Sequence, residues 1–194
     1  MTNNEIIDIF EKSNALLKGH FLLTSGKHSD QYFQCAQALQ YPDVTTKICK
    51  ELSDYFKDFE IDSVIAPAMG GIIVGQETAR QLGKRFIFTE RENKEMKLRR
   101  NFKIEKGENF LICEDVITTG GSVREVIDIV ELNGGNVVGV GVIVDRSNGK
   151  IDFGYPLNSV LKLEAKAYEP DECPLCKQGL PLVKPGSRKV FQVK

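Results

Sequence analysis

The stretch FLICEDVITTGGSVREVIDIV, residues 110–130, constrains this chain more than any other part of it. Four apolar residues lead to two adjacent acids, Glu114 and Asp115. Thr118, Thr119, Gly120, Gly121 and Ser122 follow, just ahead of an amphipathic helical pattern. This reads as a buried strand turning into a helix, and in an open parallel sheet ligands sit at the carboxyl ends of strands. Small residues in the turn let successive backbone N–H groups face one concavity. The helix N-terminus adds positive potential, and the hydroxyls complete a donor set for a phosphate. The plainer alternative is a helix cap behind two solvated acids, and the completeness of the turn argues against it.

The rest of the chain supports such a sheet. Residues 63–66, 85–89, 109–113 and 137–144 are apolar strand candidates, while Met69-Gly70-Gly71 and Gly120-Gly121-Ser122 open helices that reach Leu82 and Leu132. Strand, helix, strand, strand, helix, strand with short turns predicts an α/β fold, a mainly parallel sheet covered on both faces. Upstream, residues 5–18 have helical spacing, with a Thr2–Glu5 capping box and Gly19 placed as the stop. Residues 21–35 read as a hairpin or crossing strand pair, and 43–59 as a helix. From Glu169 onward the text is rich in proline and basic residues. The expected organisation is one domain over 1–168, including a small N-terminal hood, and an irregular tail over 169–194 packing on the body or a partner subunit.

Composition narrows the function classes. The 26 basic and 27 acidic residues give a net charge of −1, without the basic excess of a duplex-binding protein. No stretch approaches the roughly 20 apolar residues of a membrane helix. The start, MTNNEIIDIFEK, lacks a basic segment followed by an apolar run. With five cysteines, an odd number, the expectation is reduced thiols in a cytoplasmic protein without nucleic-acid or membrane partners.

Other phosphate motifs fail. Gly120-Gly121 is followed by Ser122-Val123-Arg124, not Lys-Ser/Thr, and no GxGxxG follows the first strand. Acids ahead of the turn would repel a polyphosphate but suit hydroxyls, such as those of a ribose whose 5-phosphate fills the turn. ICEDVITTGGS resembles the phosphoribosyl pyrophosphate motif of type I phosphoribosyltransferases. Within that superfamily FLLTSGKHSDQYFQ, APAMGG, GVIVDRS and the closing CPLCKQGLPLVKPGSR are similar to the orotate phosphoribosyltransferases over nearly the whole chain. The resemblance implies the type I phosphoribosyltransferase fold and transfer of ribose 5-phosphate from phosphoribosyl pyrophosphate to orotate, giving orotidine 5′-monophosphate in pyrimidine synthesis. A purine or xanthine phosphoribosyltransferase, or a non-catalytic sensor of phosphoribosyl pyrophosphate, is the alternative.

By position, the resemblance assigns the phosphoribosyl pyrophosphate site to Arg91, Glu114, Asp115, Val116, Ile117, Thr118, Thr119, Gly120, Gly121 and Ser122, with Glu114 and Asp115 on the ribose hydroxyls. Thr118 and Arg146 take the orotate positions. A guanidinium at a strand end can grip an anionic base with two hydrogen bonds; the alternative for Arg146 is a surface ion pair with Asp145. The charged run TERENKEMKLRRNFK, taken alone a solvated loop, corresponds to the family's mobile loop, which acts across a homodimer on the neighbouring site. Its catalytic cation is Lys97 or Lys94, with Lys97 preferred. Mg²⁺ is implied as cofactor, held mostly by substrate. Two family lysines are absent, at Thr24 and Gly70; Lys27, Arg99 and Arg100 are candidates to compensate. His28 is expected at the surface. Cys173-Pro174-Leu175-Cys176 has zinc-knuckle spacing, but no second CxxC or neighbouring histidine pair accompanies it in sequence. The favoured expectation is a tight proline turn packing on the body or a partner, with a zinc site, shared between subunits, as the alternative.

Overall fold

The computed structural model describes residues 1–23, 25–164 and 166–185. Thr24, one of the two positions where a family lysine is absent, lies outside the described residues, as does the end of the tail.

Helix α1 (Asn3–Lys12) opens with the expected box: the Glu5 carboxylate accepts the Thr2 N–H at 2.7 Å, and Thr2 Oγ1 accepts the Glu5 N–H at 3.3 Å. The helix is shorter than its periodicity suggested. Ser13 Oγ donates back to the Ile9 carbonyl at 2.8 Å, and Asn14 turns left-handed at φ +56°, a conformation asparagine tolerates. Leu16, Leu17 and Lys18 therefore belong to strand β1 (Leu16–Leu22), not to the helix. Leucines fit both periods locally, and pairing with β2 (His28–Phe33) decides between them. His28, expected at the surface, is 6% exposed, because β2 is covered by tail residues.

After α2 (Ala36–Leu39) and α3 (Pro42–Phe56) the main sheet begins with β3 (Ser63–Pro67), followed by α4 (Gly70–Leu82). β4 (Arg85–Glu92) does not stop at Thr89. It runs on into a two-residue turn, Asn93 and Lys94, both at positive φ, and returns as β5 (Glu95–Leu98), antiparallel with Glu92 opposite Glu95. Much of the expected charged loop is thus a hairpin, its charges alternating on a pleated edge. β6 (Asn109–Ile117), α5 (Gly121–Leu132), β7 (Asn136–Asp145) and β8 (Leu157–Lys162) complete the sheet, in the order β5-β4-β3-β6-β7-β8. All neighbours except β4–β5 are parallel. β8 had no clear sequence signal, since its apolar residues are interrupted by Asn158 and Ser159 at an edge.

Strand alternation sorts the core. Val64, Ala66, Leu111 and Cys113 face α3 and α4, while Ile65, Phe110 and Ile112 face α5. Chain order reverses between β3 and β6, so the crevice at their carboxyl ends is the topological switch point, where open α/β sheets bind ligands. A second sheet, β1-β2-β9, forms the hood. Its third strand, β9 (Ala167–Tyr168), comes from after β8. The tail then makes a short helix α6 (Pro174–Lys177), and Val183 pairs with Phe21. No helix among the described residues is long and apolar enough to cross a membrane.

Glu77 ties α3 to α4. It accepts from Thr46 Oγ1 at 2.9 Å, Gln81 Nε2 at 2.7 Å and Arg80 Nε at 2.8 Å. The Arg80 hydrogen bond leads in holding its carboxyl down at about 2. A folded value below the ordinary one adds stability above the unfolded pKa of about 4.3, lost as pH falls towards 2. Glu77→Gln should cost about 2 kcal/mol at pH 7, after discounting for the half-exposed Arg80. Urea unfolding should show the gap to wild type closing by about pH 2; a gap constant with pH would assign the loss to packing.

Candidate active site

The β3 ladder with β6 ends at Ile65–Ile112, so β6 continues from Cys113 with one edge open. Glu114 and Asp115 stand at that opening. Helix α4 starts against them because residues 70 and 71 are glycines. A Cβ at Gly70 would lie 2.3 Å from Asp115 Oδ2, and one at Gly71 3.0 Å from the Cys113 carbonyl and 3.2 Å from Glu114 Oε1. Asp115 Oδ1 accepts the Val116 N–H at 2.8 Å, and Glu114 Oε1 accepts the Asp115 N–H at 3.0 Å. The two acids are not equivalent. Burial, then the adjacent Asp115 charge, pushes the Glu114 carboxyl well above the usual carboxylate range.

Past Ile117 the chain turns at Gly120, φ +74°, where a Cβ would meet Phe153 and Ile151 at 2.9–3.0 Å. No side chain caps α5, so the N–H groups of its first turn are left for a ligand. Glu114, Val116, Ile117, Thr118, Thr119, Gly120, Gly121 and Ser122 all line a polar cavity of about 80 Å³ here. A second cavity, of about 570 Å³, lies between this turn and the hood; Thr118 and Thr119 line both. Arg146 is on its wall, at the end of β7, with Tyr32 and Leu22 from the hood. Asp145 Oδ1 is engaged by the Ser147 N–H at 2.8 Å, and no ion pair joins Arg146 to Asp145 among the described residues.

The hairpin cations stand apart. Arg91 chelates Glu125 of α5 and donates to the Lys94 carbonyl at 2.8 Å. Lys97 lies 3.4 Å from both Glu92 and Glu95, and Arg100 pairs with Glu90 at 2.7 Å. The structure thus brings the acid pair, the turn and Arg146 together, while Arg91, Lys94 and Lys97 line neither cavity. Sequence reasoning missed the hood wall, Leu22, Leu23, Ser25 and Tyr32, although FLLTSGKHSDQYF had been read as a hairpin. It also missed Lys184 and Pro185, tail residues that line the larger cavity.

A family model described as phosphoribosyl transferase domain matches residues 37–170. This chain belongs to the phosphoribosyltransferase family. Among phosphoribosyltransferases, it is 59% identical over 190 residues to the orotate phosphoribosyltransferase of Caldanaerobacter subterraneus, covering 98% of this chain and 100% of the relative. The same figures hold for the orotate phosphoribosyltransferase of Desulforamulus reducens. In three dimensions it is similar to the crystal structure of orotate phosphoribosyltransferase from Aeropyrum pernix, with a TM-score of 0.72, 26% identity, and coverage of 81% of this chain and 93% of that one. At Gly70, a side chain would have to displace the Asp115 carboxylate or the start of α4.

Proposed function

We infer that this chain is an orotate phosphoribosyltransferase, joining N1 of orotate to the ribose carbon of phosphoribosyl pyrophosphate and releasing pyrophosphate and orotidine 5′-monophosphate. The observation that carries the reading is the pair of adjoining cavities, with the acids beside one and Arg146 on the wall of the other. The small cavity suits a 5-phosphate held by backbone N–H groups and the Thr118, Thr119 and Ser122 hydroxyls. The Asp115 and Glu114 carboxyl groups hydrogen-bond the ribose hydroxyls. Arg146 then grips the carboxylate or a carbonyl of the base, with Thr118 between sugar and base. Among the described residues no side chain lining the two cavities is placed as a covalent nucleophile. Bond cleavage builds positive charge on the ribose carbon, and the fixed carboxyl groups beside the ribose favour that transition state.

Mg²⁺ belongs to this reading. The acid pair offers hard oxygen donors at the open edge of β6, and substrate oxygens would supply the other ligands. When bound it neutralises charge on the departing pyrophosphate.

The hairpin closes as a lid, across a homodimer, with Lys97 as its working cation. Support comes from the exposed apolar surface beside the site, Met69 and Ile73 at the start of α4. Lys97 is held only by 3.4 Å contacts that can be exchanged. Lys97→Ala should lower kcat about 100-fold, and Lys94→Ala less than about threefold. Steady-state kinetics on both variants tests this, and unchanged kcat in both would remove the hairpin from catalysis. We also place the protein in the cytoplasm, in keeping with five unbridged cysteines.

The deciding experiment offers the purified protein Mg²⁺, phosphoribosyl pyrophosphate and, in parallel, orotate, uracil, hypoxanthine, xanthine and adenine. Nucleotide formation with orotate alone is expected. Turnover of a purine instead would overturn the base assignment, and binding without turnover would make the chain a sensor.

A further inference from the structure

Four side chains from distant parts of the sequence meet beneath the hood. His20 lies in β1 and His28 opens β2; Cys173 precedes α6 and Cys176 lies within it. Their donor atoms all lie within 4.8 Å of one another. His20 Nε2 is 2.9 Å from His28 Nδ1, 3.5 Å from Cys173 Sγ and 3.7 Å from Cys176 Sγ, and Cys176 Sγ is 3.3 Å from His28 Nδ1. In a tetrahedron with metal–sulfur and metal–nitrogen bonds of about 2.3 and 2.05 Å, ligand atoms are about 3.3–3.8 Å apart. Four of the six donor–donor distances lie within about 0.4 Å of that spacing and the other two lie within 4.8 Å, so the ligands need to draw in by no more than about 1 Å to close on an ion.

The surroundings suit a metal. His20, His28 and Cys173 are buried, and Cys176 alone reaches the surface, as at an entry point. His20 Nδ1 is 2.8 Å from the Leu180 carbonyl. Donating its proton there leaves Nε2 bare and aimed at the cluster, as the outer hydrogen bond of a metal-bound histidine does. A hydrogen bond between the two imidazoles could account for the histidines but not for two thiols converging on the same point. Among the described residues no carboxylate joins the set, so Mg²⁺ and Ca²⁺ are poor fits, whereas two sulfurs and two imidazoles are a zinc donor set. Two thiolates and two neutral imidazoles also cancel the charge of a divalent ion, which a buried site requires.

We propose that His20, His28, Cys173 and Cys176 bind one Zn²⁺ per chain in a closed structural site, each thiol losing its proton to solvent as the ion binds. The ion clasps the tail to the hood. Beyond the clasp, the Leu22 N–H donates to the Val183 carbonyl and the Val183 N–H to the His20 carbonyl, both at 2.8 Å. These bonds carry Lys184 and Pro185 to the wall of the larger cavity. Zinc thus organises one side of the base pocket without touching substrate.

Metal content tests the site independently of any activity. The full chain, purified without chelator and freed of any histidine tag, should carry about one zinc by mass spectrometry. Cys176→Ser and His28→Asn should each retain less than about a tenth of that, and Cys35→Ala all of it. Chelator-stripped wild-type protein, reduced and titrated with Co²⁺, should develop the thiolate-to-cobalt and tetrahedral ligand-field absorption, a readout that stands even if a variant fails to fold. Reduced wild-type protein that holds no zinc and gives no such absorption would overturn the proposal. So would zinc retained in both ligand variants, or a Cys173–Cys176 disulfide in protein that takes up no metal once reduced. The pocket effect rests on the orotate reading: zinc removal should raise the KM for orotate severalfold with kcat nearly kept. Zinc bound but KM unmoved by its removal would leave the site and refute only its link to the pocket.

Discussion

Gly70→Ala should lower kcat/KM about 100-fold while leaving the fold intact. A methyl group there would lie 2.3–2.6 Å from the three carboxyl atoms of Asp115, closer than any packed carbon sits to its neighbours. One side must give. Asp115 is tethered by the Val116 N–H, and the first turn of α4 is packed on β3 and β6. The compromise is a shift of the order of 1 Å in the carboxylate that meets the ribose, and displacements of that size cost about 10² in rate. Steady-state kinetics, with circular dichroism to confirm the fold, measures it. The same clash means that Gly70→Lys, with a longer side chain, should be at least as damaging. Near-normal turnover in Gly70→Ala would show that Asp115 does not act from this position.

Arg146→Ala should raise the KM for orotate about 100-fold and leave phosphoribosyl pyrophosphate affinity within about twofold. Truncating one partner of a partly buried charge pair costs about 2–5 kcal/mol, and each 1.4 kcal/mol is tenfold. The guanidinium is half-buried on the larger cavity, away from the backbone-lined turn that takes the phosphate, so the loss should fall on the base alone. Arg146→Lys should recover only part of the loss, since an ammonium cannot make the two parallel hydrogen bonds. Calorimetric titration of phosphoribosyl pyrophosphate beside orotate kinetics separates the two; equal loss of both would mean that Arg146 serves the sugar phosphate.

What could be read without coordinates was local. Residues 110–132 specify a buried strand, an acid pair, a left-handed glycine and an uncapped helix within a span short enough for propensity and pattern to dominate. The same holds for the Thr2–Glu5 box and for β3 leading into α4. These are segments in which neighbouring residues supply the hydrogen bonds that define the element.

The misread segments are those where a distant partner decides. Residues 16–18 suit a helix until β2 pairs with them, and 90–98 suit a solvated loop until the edge of β4 offers a ladder. His28 reads as exposed until the tail covers it. The hood's third strand, the tail residues on the base pocket and the Cys173–His20 meeting, 153 positions apart, depend on which surfaces close on one another. The sequence by itself determined the acid pair and the uncapped glycine turn, because one strand–turn–helix unit carries both. Only tertiary structure decided the larger cavity and the histidine–cysteine cluster, because both are assembled from segments whose contact is a product of global packing.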